Sequence, residues 1–407
     1  MKKIKMLVIH SSFYIGGGAE RFLLNFLNIF TEKYDIDLLL FDDLQDNAKM
    51  YDYIPKEINV LPPLWQFSHW SPALIKYLVS SGQKEAANIR EFVHERNQDP
   101  EFRKLPNGER LISNWNLLKT LCPHYAGYDY AIAFTHTLPC RILDGNVQAK
   151  DKCLFVHNDF DLICSENEDL CTAILSEHRH YVNMDSIICV TEKNKASFAK
   201  IFPDLENKLS VLLNVSDTAF IKKSSMLYMP DEYDADEFNI LTVARVDEQK
   251  NTELLLSAAA ELKKRGMLFK WFILGHIGER DYAKKCLEMR RLMGLRENVV
   301  FLGETTNPYP YYKNCSLFVI TSKWEGRSLA IEEAMILGCP IVSTNFTSVY
   351  DQITDGLNGK ICEMNCERLS DAIEQLYHDN DLRNRLANAN AGYTGDAERL
   401  KYLEFFS

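Results

Sequence analysis

The sequence predicts an α/β protein of two domains, each built on a helix-covered, mainly parallel sheet. Three observations carry that expectation. At 407 residues the chain is long for one hydrophobic core. Short apolar runs alternate with helical stretches in two separate series, as parallel sheets require. The runs of the second series end in loops rich in glycine or polar residues, and in open α/β sheets ligands bind beyond the carboxyl ends of the strands.

In the first series, Lys5-Met6-Leu7-Val8-Ile9-His10 reads as a strand and residues 19–30 as a helix with Phe22, Leu23, Phe26, Leu27 and Phe30 on one face. Between them lies Gly16-Gly17-Gly18. Glycine lets the main chain approach a ligand closely, and amides at a helix amino terminus favour anions, so this is a seat for a phosphate or a sugar hydroxyl. The competing reading is a tight strand-to-helix turn, because the full G-x-G-x-x-G spacing is missing. Further strands are expected at 36–41, 130–134, 153–156 and 186–190.

Residues 65–128 depart from that alternation and read as an insertion. They hold Trp65, Phe67, Trp70 and Trp115, and mix Lys76, Lys84, Arg90, Arg96, Arg103, Lys104 and Arg110 with acids. Because acids nearly balance bases, capping helices are the favoured expectation. The alternative is a surface for peripheral membrane contact or for a lipid-carried acceptor, which aromatic and basic residues would suit.

An acidic stretch at 230–237 reads as part of the interdomain linker, giving an amino-terminal domain of 1–225 and a carboxyl-terminal one of 226–391. Here the strands fall at 238–244, 269–274, 299–302, 317–320 and 341–343, with helices at 251–265 and 279–293. After the first strand come Arg245 and Lys250, five residues apart at a helix entrance. Arg245 can fork onto phosphate oxygens and Lys250 can add a point charge, a pair suited to a diphosphate. Trp324-Glu325-Gly326-Arg327-Ser328 follows the strand at 317–320, placing Glu325 in a loop and Glu333 inside the next helix. Both carboxylates thus belong to the rim where a polar small molecule would bind.

Composition excludes other classes. Hydrophobic residues at 46% and charged residues at 25% are those of a globular protein, and a net charge of −11 argues against nucleic acid as a partner. Eleven cysteines without a Cys-x-x-Cys pair point to reduced thiols and a cytoplasmic location. No metal site is expected, since the pairs Cys362 and Cys366, and His178 and His180, lack partners at zinc-like spacing. The Asp-x-Asp triplets at 35–37, 159–161, 234–236 and 379–381 are read as chance features of an acidic chain.

Taken together, Gly16-Gly17-Gly18-Ala19-Glu20-Arg21, Val190-Thr191-Glu192, Leu213-Asn214-Val215-Ser216-Asp217, Ala244-Arg245 with Lys250, Gly275-His276-Ile277-Gly278, Phe301-Leu302-Gly303, and Glu325 through Glu333-Ala334-Met335 resemble the retaining glycosyltransferases of family 4. The resemblance covers nearly the whole chain and implies a GT-B fold, two Rossmann-like domains facing a cleft, with residues 392–407 crossing back as a helix onto the first domain. It implies that Arg245 and Lys250 hold the donor diphosphate, that Glu333 accepts from a ribose, and that Glu325 lies beside the donor sugar. Gly16 and Gly17 would meet the donor from the other domain, and His157 resembles the histidine near the reacting sugar carbon. Gly275, Gly303, Ser328 and Leu329 would complete the donor site. Arg327-Ser328 departs from the usual pattern, and Arg327 is expected to reach either the sugar or the diphosphate.

The implied activity is transfer of a hexose or N-acetylhexosamine from a nucleotide sugar, a UDP-sugar by expectation, to a glycan or lipid-linked glycan in surface polysaccharide synthesis. The donor is a substrate, so no cofactor is expected, and two fixed cations make a metal unnecessary. The location expected is the cytoplasm, including the inner face of the plasma membrane. Two alternatives stand beside it: a non-catalytic partner of another transferase with the same fold, and a glycosidase using Glu325 and Glu333.

Overall fold

The computed structural model describes residues 3–11, 18–41, 53–62, 96, 98–166, 168–234, 236–278 and 281–407. The chain divides into two compact units, one of residues 1–214 with 398–407 and one of residues 215–397. The acidic stretch at 230–237 therefore lies inside the second unit and is not the linker expected there. It carries Tyr233, buried against Phe272 with ring centroids 4.7 Å apart, so a core anchor is set in an otherwise polar run.

Among the described residues of the first unit, seven strands form one sheet: β1 Ile4–His10, β2 Tyr34–Leu40, β3 Asn59–Val60, β4 Tyr125–Ala133, β5 Val147–Val156, β6 Ser186–Cys189 and β7 Leu209–Val211. Their order is β3-β2-β1-β4-β5-β6-β7, and every pairing is parallel. Parallel strands covered on both faces need continuous apolar runs, and Met6 to Ile9 are all fully buried. The helix Gly18–Phe30 presents Phe22, Phe26 and Phe30 to that sheet, where Phe22 meets Phe134 at 5.1 Å and Phe155 at 5.9 Å. The carboxyl-terminal helix Asp396–Phe405 adds Tyr402, which packs on Phe26 and Phe30 and donates its hydroxyl to the Leu212 carbonyl at 3.2 Å. Phe406 is buried, and its carbonyl accepts from Tyr34 at 2.9 Å.

Residues 63–95 and 97, with Trp65, Phe67, Trp70, Lys76, Lys84 and Arg90, lie outside the described residues. In the described part of the expected insertion, the helix Asn107–Leu121 brings Trp115 against the core, its ring 5.2 Å from the Arg141 guanidinium carbon. Trp115 thus faces inward. Arg141 is itself fully buried and ion-paired with Glu177, with its Nη1 donating to Asn116 at 2.6 Å.

The second unit repeats the topology. Its strands β8 Asn239–Val243, β9 Lys270–Leu274, β10 Val299–Gly303, β11 Leu317–Ile320, β12 Ile341–Thr344 and β13 Lys360–Cys362 run in the order β10-β9-β8-β11-β12-β13, all parallel. The helices Thr252–Lys264 and Cys366–His378 cover one face with Leu255, Leu262, Leu369 and Ile373. Tyr309–Asn314 and Leu329–Ile336 cover the other with Tyr309, Tyr312, Ile331 and Met335. In both sheets the strand order reverses once, between β1 and β4 and between β8 and β11. Such a reversal opens a crevice at the carboxyl ends of the two strands.

Candidate functional site

At the reversal in the second unit, Lys250 and Glu325 meet. The Lys250 Nζ lies 2.5 Å from Glu325 Oε1, their side chains 19% and 9% exposed. Lys250 is placed by a tight turn in which its amide donates to Asp247 Oδ1 at 3.0 Å and the next residue, Asn251, takes a left-handed φ of 54°. Asparagine tolerates that conformation better than most side chains, and strain of this kind collects at functional sites. Glu325 follows β11 in the loop expected for it. Ser322 Oγ donates to Glu325 Oε1 at 2.7 Å, and Gln249 Nε2 donates to the Trp324 carbonyl at 2.9 Å and to Glu325 Oε2 at 3.4 Å. The carboxylate is therefore preorganised by one cation and two neutral donors, Lys250 and Gln249 from the loop after β8 and Ser322 from its own loop.

Arg245 stands nearby in sequence but keeps to solvent, 51% exposed, with its Nη2 3.2 Å from Asp247 Oδ2. The strand ends beside it approach very closely. A Cβ on Gly275 would stand 2.1 Å from the Ala244 carbonyl oxygen, and φ is +149°, so only glycine fits. The Ala244 amide donates to Leu274 and the Gly275 amide to Gly303, each at 2.8 Å, binding the ends of β8, β9 and β10 together. Gly303 has a φ of +76° and open space where its Cβ would be.

Ser328 caps the helix Leu329–Ile336 and is clamped by Gln352, whose Oε1 accepts from the Ser328 amide at 2.9 Å and whose Nε2 donates to the Ser328 carbonyl at 3.0 Å. Leu329 is buried as the first residue of that helix. Glu333 is inside the helix as expected and only 2% exposed, with its oxygens accepting from the hydroxyls of Tyr309 at 3.3 Å and Tyr312 at 3.1 Å. Arg327 turns into the unit, 8% exposed, with its Nε on Glu332 Oε2 at 3.4 Å and its Nη2 donating to the Tyr393 hydroxyl at 3.0 Å.

The reversal in the first unit carries different chemistry. His10 ends β1, His136 follows β4 and His157 follows β5. His157 Nε2 lies 2.7 Å from the Phe134 carbonyl, and since a carbonyl only accepts, Nε2 carries the proton. Desolvation pushes His157 down to about 4, and burial with the neighbouring His157 pushes His136 down to about 3, so both rings are neutral near pH 7. Phe22, Phe134 and Phe155 surround His157 at 5.8, 5.2 and 5.9 Å. Gly16 and Gly17 lie outside the described residues. The nearby Asp159 is structural: against its desolvation, Ser197 and Lys193 hold it below its ordinary value, with Ser197 Oγ donating at 2.7 Å.

Sequence reasoning missed Gln249, Ser322 and Gln352, which act on Glu325 and Ser328. Its strand and loop boundaries contain them, but polar residues in loops have no periodicity to mark them. Tyr309 and Tyr312 had a legible signal, two tyrosines three apart on one helix face.

Residues 230–392 match the family described as glycosyl transferases group 1. Over 175 residues the chain is 29% identical to an uncharacterized glycosyltransferase of Methanocaldococcus jannaschii, covering 42% of each protein. Over 212 residues it is 29% identical to the N-acetylgalactosamine-N,N'-diacetylbacillosaminyl-diphospho-undecaprenol 4-alpha-N-acetylgalactosaminyltransferase of Campylobacter jejuni, covering 51% of this chain and 55% of that protein. The matched stretches thus span about half the length of these curated relatives. Among solved structures, Anabaena HepE in complex with UDP-glucose superposes with a TM-score of 0.69 at 16% identity over 99% of both chains, a likeness of fold.

Proposed function

We propose, for a chain that belongs through residues 230–392 to the glycosyl transferases group 1 family and has the GT-B fold, that it transfers a hexose or N-acetylhexosamine from a UDP-sugar to a glycan or lipid-linked glycan. The observation that carries this reading is the Lys250–Glu325 pair at the strand reversal, with Arg245 beside it. Breaking a sugar–phosphate bond puts positive charge on the sugar and negative charge on the departing diphosphate. Cations fixed where the negative charge grows lower the barrier. Lys250 and Arg245 take that part, and Glu325 lies on the side of the sugar.

In the retaining course we propose, the acceptor oxygen forms its bond to the sugar carbon on the face from which the diphosphate leaves. The bond from carbon to phosphate oxygen breaks, and the acceptor proton passes to a leaving phosphate oxygen. His157, neutral near pH 7, is assigned a hydrogen-bonding part toward the sugar. With the diphosphate charge met by Lys250 and Arg245, the reading requires no divalent metal. Glu333 is assigned to the ribose, its two tyrosines fixing the carboxylate in place. Among the described residues no helix is long and apolar enough to cross a membrane. The Campylobacter relative's name includes diphospho-undecaprenol, which supports a lipid-linked acceptor, and we assign the encounter to the inner face of the plasma membrane.

The test is to incubate the purified chain, with EDTA present, against a panel of nucleotide sugars and to follow thermal stabilisation and release of free nucleoside diphosphate. One UDP-sugar that stabilises and is slowly hydrolysed supports the reading. Stabilisation without release, persisting when lipid-linked and soluble glycan acceptors are added, would support a non-catalytic partner instead, and no response to any donor overturns the assignment.

A further inference from the structure

The inward turn of Arg327 has a physical cost that its surroundings offset. A buried ion pair seldom adds stability over apolar packing, yet losing one partner is damaging, so such pairs are better at fixing one conformation than at holding a fold. Here the pair is Arg327 with Glu332, 8% and 1% exposed, and the guanidinium also donates to the Tyr393 hydroxyl at 3.0 Å. Arg327 belongs to the 324–328 loop that carries Glu325. Tyr393 belongs to the stretch leading to the point where the chain leaves this unit, at 397.

That stretch is built against the other crossing, at 215. Thr218 Oγ1 donates to the Thr394 carbonyl at 2.7 Å. Gly395 has a φ of +68°, and a Cβ there would stand 3.7 Å from Glu332 Oε1 and 4.0 Å from the Ser216 carbonyl oxygen. Glu332 thus lies between the Arg327 guanidinium and the stretch at 393–396, which in turn meets the segment at 215–218. The loop is held elsewhere by Gln249, Ser348 and Gln352, which bind the backbone carbonyls of Trp324, Glu325 and Ser328 at 2.9, 2.9 and 3.0 Å. Arg327 is the loop side chain that joins it to the crossing segments.

We propose that Arg327 is a positioning residue, a latch that holds the 324–328 loop in donor-binding shape and ties that shape to the crossing segments at 215–217 and 393–396. This rests on the transferase reading for its effect on turnover but not for the latch itself. The order of the loop and the order of the crossing segments are then linked: what loosens one loosens the other. In this role Arg327 acts through Glu332 and Tyr393.

The experiment is hydrogen exchange on the full chain without donor, comparing wild type, Arg327→Met, Tyr393→Phe and the double variant, followed by steady-state kinetics. The expected result for Arg327→Met is exchange about tenfold faster in both 324–328 and 393–396, with the donor KM up about tenfold and kcat within about twofold. Tyr393→Phe moves the same peptides by about threefold, and the double variant is no worse than Arg327→Met alone, since both cut one link. Faster exchange confined to 324–328, unchanged exchange in both segments, or additive effects in the double variant would overturn the latch. If Arg327→Met does not fold, Tyr393→Phe decides alone. If the wild type turns over no nucleotide sugar, the transferase reading fails while the exchange data still decide the latch.

Discussion

The two sheets share a strand order and a single reversal, yet the residues at the two reversals have opposite character. Beside β1 and β4 stand three histidines among phenylalanines, two of them held neutral by desolvation. Beside β8 and β11 stand Lys250 and Glu325, paired, with Gln249 and Ser322 also hydrogen-bonded to the carboxylate. The topology supplies a crevice in both cases and says nothing about what enters it. Chemistry is decided by a few side chains placed after the strands. A neutral aromatic rim suits a sugar ring and a charged rim suits a diphosphate, and the predictions below ask whether that division holds.

The largest effect is expected from a pair that is not at a rim at all. Arg141 and Glu177 are fully buried, and burial pushes the Glu177 carboxyl up against the pull of Arg141. Arg141→Ala leaves that carboxylate uncompensated and is expected to cost about 3–5 kcal/mol, read as a lower urea midpoint for the first unit. Lys250→Ala should behave differently, because its pair is only partly buried, with Lys250 19% exposed. Turnover is expected to fall about 10²–10³-fold, while stability falls by only about 1–2 kcal/mol with Ser322 and Gln249 still on Glu325. Turnover unchanged in Lys250→Ala would break the assignment of charge chemistry to this rim.

Gly275→Ala tests the backbone beneath that chemistry. The added methyl meets the Ala244 carbonyl oxygen at 2.1 Å and forces an unfavourable φ, for an expected loss of about 2–3 kcal/mol. Hydrogen exchange should show the damage at the ends of β8 and β9. An unaltered melting curve would mean that the strand ends part without cost.

A pH dependence should also separate the two units. His136 and His157 have folded values near 3 and 4, below the ordinary 6.5, so between those values the unfolded chain binds more protons. Stability from these groups is complete above pH 6.5 and is lost as pH falls toward 4, with a slope of up to about 1.4 kcal/mol per pH unit for each histidine. Exchange protection in β5 should drop between pH 7 and 5, and His157→Gln should flatten the drop. Equal sensitivity in β11 would remove the contrast between the rims.

Much of this arrangement was legible in the sequence, and the rest failed for identifiable reasons. The run Leu317 to Ile320 is apolar without interruption, and Glu325 and Glu333 fall in the loop and helix expected of them. The edge strands β3, β7 and β13 have two or three residues each, too few for a pattern to stand out. The boundary between units was misplaced because one buried aromatic, Tyr233, is outnumbered by exposed acids. Gln249 reaches the 324–328 loop across 75 residues of sequence, a contact that only the closed sheet creates. Arg327 sits where the spacing put it, but the direction of its side chain is set by Glu332 and Tyr393, and spacing carries no direction.

The most direct test of the account is calorimetric titration of uridine diphosphate into the wild type, Lys250→Ala and His157→Ala. If the charged rim of the second unit holds the diphosphate, Lys250→Ala weakens binding more than about tenfold while His157→Ala stays within about twofold of wild type. Equal binding by Lys250→Ala and wild type, or a larger loss in His157→Ala, would contradict it.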